Sequence, residues 1–188
     1  DKADIENANL LGYKIKLLGY AELIKGKIYQ RVHPTLIKKT SYIASIDGVL
    51  NAVIINGDPV GTSIIQGEGA GPAATTSALV SDISSILRGN IKFPFSIANK
   101  ERKKLIFKDI SDRIFSGYFR FEVSDKSGVL SNITKIFSNN NVSIKRLIQN
   151  PNKKKGESSI IIITHESKDK SLNKILNIIN RRNYIQKK

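Results

Sequence analysis

Residues 118–130 read YFRFEVSDKSGVL, and this stretch decides the fold class of the second half of the chain. Phe119, Phe121 and Val123 alternate with polar or amphipathic side chains, a spacing that predicts a half-buried strand. The Asp-Lys-Ser-Gly segment interrupts that strand, and an apolar run at helical spacing begins at Val129. The stretch therefore predicts a strand, a tight turn and the start of an amphipathic helix.

The residues that follow extend this pattern into a complete small domain. Further strands are predicted over residues 142–149 and 158–164, with a short edge strand at Tyr184-Ile185. Ile160 to Ile163 indicates burial on both faces or a close partner. The order β-α-β-β-α-β is the ferredoxin-like plan. The apolar stripes of the two predicted helices consist of Val129, Leu130, Ile133, Ile136 and Phe137, and of Leu172, Ile175, Leu176 and Ile179.

The first half begins with a helical pattern. Apolar residues recur near helical spacing over residues 5–23, and Asp4 can cap such a helix. Residues 25–32 are typical of a strand, and Pro34 predicts a short helical turn through Ile37.

A hairpin and a second helix come next. Residues 49–55 and 60–65 are apolar runs around Asn56-Gly57-Asp58-Pro59, a sequence typical of a hairpin turn because Asn-Gly tolerates positive φ. A helix is predicted over residues 73–87, with Ala74, Leu79, Ile83 and Ile86 available for burial and Gly89 ending it.

A basic, poorly periodic segment separates the two halves. Pro94 and the charge run over residues 101–104 suggest a crossing segment. We therefore predict an α+β chain with a first domain over residues 1–96, a linker over 97–115 and a second domain over 116–188.

Composition excludes several classes of protein. The 188 residues contain no Cys, which excludes disulfides and thiolate metal ligands, and we expect no metal site. No apolar run is long enough to cross a bilayer and no signal core is present, so we expect no membrane association. Because Met is also absent, we expect a fragment or a processed product.

The net charge of +15 raises the question of nucleic-acid binding. The basic residues are scattered in short clusters near element ends and loops, where solvated charge is the default, and we expect no nucleic-acid partner. The basic clusters are Lys38-Lys39, Arg102-Lys103-Lys104, Lys153-Lys154-Lys155 and Lys187-Lys188.

The second domain resembles the ACT domain, a small amino-acid-sensing module. The resemblance rests on residues 118–130, on Asn141-Val142-Ser143-Ile144 and on Gln149, although Ser127 stands where the family usually has Pro. It implies an effector site for threonine or another amino acid. We predict that the site is formed by Asp125, Gly128, Val129, Leu130, Ser143 and Ile144. The alternative is that this turn only caps the helix, through Asp125 or Ser127.

The first domain resembles the end of the homoserine dehydrogenase catalytic domain. The similar stretches are residues 15–19, His33-Pro34 with residues 46–52, and residues 67–71 followed by Thr75-Thr76-Ser77-Ala78 and Asp82. The resemblance implies a mixed α/β catalytic domain and hydride transfer between NADP or NAD and the aspartate semialdehyde/homoserine pair, a step toward threonine and methionine, in the cytoplasm. It also implies that the nucleotide-binding domain and the catalytic residues precede residue 1, so this chain alone is expected to be inactive.

The glycine-rich segment over residues 67–71 is the predicted cofactor contact. It follows a strand and precedes a helix, where backbone N–H groups and the positive helix end can face an anion or a polarised amide. The third glycine of a dinucleotide fingerprint would fall at Pro72, so the residue pattern alone leaves a simple tight turn equally open. The family resemblance favours contact with the nicotinamide end of the cofactor. The predicted contacts are Gly67, Gly69, Ala70 and Gly71.

The remaining polar candidates are given structural roles. Thr75 and Thr76 are predicted to cap a helix, and Asp82 to make a surface or interface contact. His33 and His165 each lack a partner carboxylate nearby in sequence and are predicted to be structural or surface residues. Lys14 and Lys16 flank Ile15 on the predicted first helix and are not assigned to catalysis.

Two other functions stay open at this point. One is a stand-alone ACT regulator without enzyme activity, in which the first domain is unrelated to any dehydrogenase. The other is an RNA-binding module, which shares the β-α-β-β-α-β order but displays aromatic side chains on its central strands. Because a domain of about 60 residues is marginal alone, we also expect at least a homodimer that hides a sheet edge and the Ile-rich strand.

Overall fold

The computed structural model describes residues 1–90, 96–152 and 156–186. The described chain forms two compact units, of which unit 1 consists of residues 1–18 and 33–105, and unit 2 of residues 19–32 and 106–188. Pro94 and the Lys153–Lys155 and Lys187-Lys188 clusters lie outside the described residues.

The first helix is much shorter than the sequence pattern predicts. Helix α1 spans Lys2–Leu10, with Asp1 as N-cap and Asp4 completing a capping box. The backbone then turns at Gly12, where φ is +81°. The predicted helix over residues 5–23 is therefore wrong beyond Leu10, because a left-handed glycine ends the helix and strand pairing takes over.

Strands β1 (Tyr13–Ile24) and β2 (Lys27–Lys38) are neighbours in one sheet. They are joined by Lys25-Gly26, both at positive φ, as a two-residue turn of the primed type requires. The predicted strand over residues 25–32 is confirmed from Lys27 onward and continues to Lys38, whereas Lys25 and Gly26 form the turn instead. The predicted helical turn at Pro34 is wrong, because β2 continues through it. Residues of both strands belong to each of the two units.

The predicted hairpin in unit 1 is confirmed. A short 3₁₀ turn at Tyr42–Ser45 leads to β3 (Leu50–Gly57), which pairs antiparallel with β4 (Gly61–Glu68) over its whole length. Its turn differs from the prediction, because Asn56 and Gly57 belong to β3 and the positive φ of +75° falls on Gly61 instead.

The predicted second helix is also confirmed, as α2 over Pro72–Leu87, with Gly89 following at a φ of +73°. Its burial is not as predicted. Ala74 is half-buried, whereas none of the large apolar side chains is covered by described residues. The exposed apolar side chains on α2 and on the β3–β4 hairpin are Val53, Ile54, Ile55, Val60, Ile64, Ile65, Leu79, Val80, Ile83, Ile86 and Leu87.

Unit 2 confirms the predicted β-α-β-β-α-β order. The short strands β5 (Ile106–Phe107) and β6 (Ile114–Phe115) lead into β7 (Tyr118–Ser124), α3 (Val129–Asn139), β8 (Ile144–Pro151), β9 (Glu157–Thr164), β10 (Ser167–Lys168) and α4 (Asp169–Ile179). The main sheet has the order β7-β9-β8, and Ile185 adds a bridge to Val123 on the far side of β7.

The core of unit 2 lies between this sheet and its two helices. Phe119, Phe121 and Val123 are buried as the alternation predicts, and the Phe119 and Phe137 rings meet edge to face at 5.5 Å. The helical stripes are buried too, apart from the half-buried Leu130 and the more exposed Leu176. Because Phe119 and Phe121 are buried in this core, the sheet does not display them as an RNA-binding module would.

The Ile-rich strand β9 is the central strand, and this chain buries both of its faces. Ile160 and Ile162 belong to the core, while Ile161 and Ile163 on the opposite face are exposed by only 1% and 5%. No second copy is needed to cover this strand, so the predicted reason for a dimer does not apply to it. Strand β8 keeps one edge without a partner strand among the described residues.

The segment between the predicted domains does not follow the predicted boundaries. Residues 106–115 belong to unit 2, with β5 pairing parallel to β2 and β6 pairing antiparallel to β10. Unit 2 also includes residues 19–32, which the prediction places in the first domain. Within the described ranges, no helix has the length and apolarity to span a membrane.

Candidate functional site

The glycine-rich segment lies between the end of β4 at Glu68 and the start of α2 at Pro72. Gly71 is the N-cap of α2 at a φ of +127°, and no side chain in the described part of the chain caps this helix. The amide groups of its first turn therefore lack intrahelical acceptors, and Pro72 removes one of them. The segment combines a sharp turn with a helix end of partial positive charge.

Gly69 is in close contact with the chain itself. Its N–H donates to the Val49 carbonyl at 3.2 Å. A Cβ at position 69 would lie 1.7 Å from Nδ2 of Asn51 and 2.7 Å from its Cγ. A glycine is therefore needed here for the Asn51 side chain as it stands, whatever else approaches the segment.

Gly67 and Gly71 differ from Gly69 in this respect. A Cβ built at either position meets no atom of the described chain within 4 Å. Gly67 has no positive φ and pairs with Asn51 in the β3–β4 ladder, so its conformation does not require glycine. The open side of Gly67 is what a flat ligand lying against the backbone would use.

Lys14 and Lys16 form a charged cluster with Asp47 within unit 1. Both project from one face of β1 onto Asp47, with Nζ–carboxylate distances of 2.5 and 2.6 Å. Lys14 Nζ also donates to the Ala44 carbonyl, and Lys16 Nζ to the Ile46 carbonyl. Hydrogen bonds from Lys14 and then Lys16 lower the pKa of the Asp47 carboxyl to about 2.

This cluster escapes the sequence analysis because its residues are assigned to the wrong element. On a helix, Lys14 and Lys16 would point in different directions, whereas on a strand residues two apart share a face. A shallow cavity of about 270 Å³ is lined by Lys16 and Asp47 together with Asn51. The alternation Lys14-Ile15-Lys16 is the signal that points to it.

The predicted effector turn lies at one end of the ACT-like sheet. Gly128 is the N-cap of α3 at a φ of +87°, and neither Asp125 nor Ser127 caps the helix with its side chain, so the capping alternative is wrong. Asp125 is exposed, and its Oδ1 accepts from Nε2 of Gln149 at 3.3 Å. The turn therefore presents a carboxylate and uncapped helix amides on the same short segment.

Ser143 and Ile144 are not brought to this turn. Ile144 pairs with Thr164 at one end of β9, whereas Ser124, just before the turn, pairs with Glu157 at the other end. Seven residues of extended strand separate the two ends by about 20 Å. Within one chain, the turn is accompanied by Gln149 rather than by Ser143 and Ile144.

The other polar candidates lie at the surface. Thr75 and Thr76 are exposed and make no capping bond to α2, so the capping role predicted for them is wrong. Asp82, His33 and His165 are exposed, in agreement with their predicted surface roles. Among the residues that the structure describes, no group of three or more His, Cys, Asp or Glu side chains is arranged to hold a metal ion.

Comparison with known families supports both resemblances. The family model for homoserine dehydrogenase matches residues 1–84, and the model for the ACT domain matches residues 117–183. The first match contains Lys14, Lys16, Asp47 and the glycine segment, and the second contains the turn at Asp125.

Curated relatives extend the similarity along the chain. A homoserine dehydrogenase of Helicobacter pylori is 36% identical over 169 residues, which are 90% of this chain and 40% of the relative. One from Neisseria gonorrhoeae is 35% identical over 196 residues, covering 100% of this chain and 44% of the relative. The chain thus spans about two fifths of the length of these relatives.

Solved structures agree with the sequence matches. The crystal structure of a homoserine dehydrogenase from Thiobacillus denitrificans is 32% identical with a TM-score of 0.85, covering 100% of this chain and 43% of that one. The S. aureus homoserine dehydrogenase at pH 7.0 is 28% identical with a TM-score of 0.58, over 98% of this chain and 43% of that one. The chain therefore matches the C-terminal part of homoserine dehydrogenases, with a homoserine dehydrogenase family segment over residues 1–84 followed by an ACT domain over residues 117–183.

Proposed function

We propose that this chain is part of an NAD(P)-dependent homoserine dehydrogenase that interconverts aspartate 4-semialdehyde and homoserine in the cytoplasm, in the synthesis of threonine and methionine. The relatives that support this proposal extend well beyond the matched region. We therefore assign the nucleotide-binding domain and the catalytic residues to the remainder of the whole protein, and we expect the 188-residue chain to be inactive by itself.

The glycine segment carries the proposal. When bound, the nicotinamide cofactor supplies the hydride-transfer chemistry. Gly67, Ala70 and Gly71 would contact its nicotinamide end, because Gly67 and Gly71 leave open space beside the backbone. The α2 N-terminus adds partial positive charge next to them. Gly69 contributes through its backbone, since its Cβ position is filled by Asn51.

A single methyl group at Gly67 tests this role in the complete protein. Gly67→Ala meets no atom of the described chain and needs no unusual φ, so the fold should accept it. If the cofactor lies against this backbone, the Kd for NADPH or NADH, measured by fluorescence titration, should rise several-fold.

Gly19→Ala is the matched control for this experiment. Gly19 is also in a strand with no positive φ, and a Cβ there likewise meets nothing within 4 Å. Its cofactor Kd should equal that of the wild type. A Gly67→Ala protein that binds both cofactors with unchanged affinity would contradict the proposed contact.

We also propose that the ACT domain binds an amino-acid effector at the turn before α3. Among the described residues, the Gly128 and Leu130 amides have no acceptor and suit a carboxylate, while Asp125 suits an ammonium group. Val129 stays a predicted contact, although its N–H already donates to the Lys126 carbonyl at 3.3 Å. Ser143 and Ile144 stay predictions that no geometry in this chain supports. Threonine, the end product, is the effector to test.

Calorimetry of the chain with threonine tests the effector site. Binding should be measurable, and Asp125→Asn should weaken it because the ammonium loses its charged partner. Asp58→Asn removes the same charge from the hairpin turn of unit 1 and should leave the heats unchanged. Heats equal to those of dilution, or equal binding by Asp125→Asn, would exclude the proposed site.

The exposed apolar side chains of unit 1 support the proposal that other protein surfaces cover them in the complete protein. Large apolar patches seldom face water in a monomer, and here they cover both the β3–β4 hairpin and α2. We assign this surface to the rest of the whole protein and to a second copy, as a homodimer. Sedimentation of the complete protein should give a dimer mass, and a monomer at micromolar concentration would contradict this assignment.

A further inference from the structure

The tip of the β1–β2 hairpin, residues 19–32, belongs to unit 2 although its sequence lies within the homoserine dehydrogenase match. The remaining parts of the same two strands, residues 13–18 and 33–38, belong to unit 1. The hairpin tip is held in unit 2 by three kinds of contact, all of them within that unit.

Backbone pairing provides the first contact. Lys27 and Ile28 of β2 pair in parallel with Ile106 and Phe107 of β5. The Lys108 N–H extends this pairing with a 2.9 Å hydrogen bond to the Ile28 carbonyl. The segment before the ACT sheet thus forms the third strand of the hairpin's own sheet.

Arg31 makes the second contact, directly to an ACT helix. Its Nη1 donates to Oδ1 of Asp169, the first residue of α4, at 3.0 Å, and its guanidinium lies 3.8 Å from the centre of the Phe115 ring. The Arg31 and Asp169 side chains are only 24% and 15% exposed, so solvent screens this pair less than an open surface pair. The Tyr20 ring meets Phe115 edge to face at 6.0 Å.

Arg113 makes the third contact, from the segment before β6. Its guanidinium pairs with the Glu22 carboxylate and lies 5.4 Å from the centre of the Tyr29 ring. The Arg113 carbonyl accepts from the Asp169 N–H at 2.9 Å. Both arginine contacts therefore converge on Asp169, where α4 begins.

Helix α4 connects this junction to the interior of the ACT domain. Leu172 and Ile175, within two turns of Asp169, are buried in the ACT core. Strand β10, just before α4, pairs with β6, which contains Phe115. A shift of α4 relative to the sheet would therefore move the residues that hold the hairpin tip.

We propose that the hairpin tip transmits changes in the ACT domain to residues 13–18 and 33–38, with the Arg31–Asp169 contact as its principal connection. The regulatory use of this connection rests on the proposed function, because it supposes an effector that binds the ACT domain. The connection itself rests only on the contacts described above. Lys16 lies on the strand segment that receives the change and pairs with Asp47.

Hydrogen–deuterium exchange of the complete protein tests the connection without any effector. Arg31→Gln removes both the ion pair and the ring contact, and peptides covering residues 13–38 should then exchange several-fold faster than in the wild type. Asp169→Asn weakens the same contact from the helix side and should act in the same direction.

Lys170→Gln is the matched control, since it removes the neighbouring exposed pair with Asp112, at 3.1 Å, on the same turn of α4. Its exchange over residues 13–38 should equal that of the wild type. Unchanged exchange in Arg31→Gln, or equal acceleration by Lys170→Gln, would overturn the proposed connection.

Threonine titration tests the regulatory step separately. If threonine binds the wild type and changes its dehydrogenase rate, Arg31→Gln should bind threonine with an unchanged Kd but show a several-fold smaller rate change. A full rate change in Arg31→Gln would overturn the proposal. If the wild type does not bind threonine, the effector assignment fails, and the exchange experiment still decides the connection.

Discussion

Position 69 could require glycine only because the Asn51 side chain occupies the space beside it, or also because the cofactor approaches it. Gly69→Ala, alone and combined with Asn51→Ala, separates these two reasons. The added Cβ would lie 1.7 Å from Asn51 Nδ2, whereas an ordinary contact needs about 3.5 Å, so the amide must retreat by about 2 Å. Asn51 is exposed, and its own bond to the Val49 carbonyl is long at 3.4 Å, so rotation is open to it.

Because the Asn51 side chain can rotate away from the added methyl group, the free energy of unfolding should fall only slightly. A side chain forced off its preferred rotamer costs about 0.5–1.5 kcal/mol, and Gly→Ala returns about 0.4–1 kcal/mol through the unfolded chain. Gly69→Ala should therefore destabilise the chain by about 1 kcal/mol or less in urea denaturation. Adding Asn51→Ala should remove that loss, since the double variant no longer has the amide in the way.

Cofactor affinity of the complete protein then decides which reason applies. If residue 69 is glycine only because of Asn51, the double variant should bind NAD(P)H as tightly as Asn51→Ala alone. If the cofactor also approaches Gly69, Gly69→Ala should weaken NAD(P)H binding, and the double variant should bind NAD(P)H as weakly as Gly69→Ala does. The reasoning about Asn51 would be refuted if Gly69→Ala cost more than about 3 kcal/mol and Asn51→Ala restored none of it.

Three further predictions concern stability and surface. Phe137→Ala should destabilise unit 2 by about 3–5 kcal/mol in urea denaturation, because the ring is 1% exposed, whereas Phe107→Ala, 66% exposed, should cost far less; equal losses would contradict the assigned core. The pKa of Asp47 is lowered from its ordinary value to about 2, so its contribution to stability should be present above about pH 4 and lost as pH falls toward 2. In Asp47→Asn the free energy of unfolding should therefore fall less steeply over that pH range, and a profile equal to that of the wild type would contradict the Lys14 and Lys16 contacts. Ile83→Ser should change the stability of the isolated chain by no more than about 0.5 kcal/mol but weaken assembly of the complete protein in sedimentation, since Ile83 is 55% exposed here; full assembly by this variant would argue against a covered α2 face.

The ACT domain could be predicted from sequence because its interactions are local or regularly spaced. Phe119, Phe121 and Val123 share one face of β7 by strand alternation, and Ile133 and Phe137 share one face of α3 by helical spacing. The spacing of apolar residues in each element therefore predicts both whether it is a strand or a helix and which face it buries. The hairpin of β3 and β4 and the start of α2 follow from the same local signals.

The first strand could not be predicted in this way. Residues 13–24 contain apolar side chains near helical spacing, yet they pair with β2 across the Lys25-Gly26 turn. The pattern is ambiguous by itself, and the choice depends on a partner strand that follows in the chain. The misassigned element also concealed the Lys14–Asp47–Lys16 cluster.

For the candidate sites, sequence identified the residue types, and only the structure showed their surroundings. The sequence does not distinguish the surroundings of Gly67, Gly69 and Gly71. In the structure, Asn51 fills the space beside Gly69, whereas the space beside Gly67 and Gly71 is open. Likewise, the sequence predicts Ser143 beside Asp125, whereas the register of β8 and β9 places Ser143 at the other end of the sheet. Proximity between distant residues depends on strand register, which the pattern of one strand does not specify.

By itself, then, the sequence determined the ACT fold, the hairpin and helix around the glycine segment, and the family resemblance, because these depend on spacing between near neighbours in the chain. Tertiary structure alone decided that residues 19–32 belong to the ACT unit, and that Arg31 meets Asp169 although 138 positions separate them. An ion pair of that separation leaves no periodic signal, since its geometry arises only when strands, turns and helices have packed together.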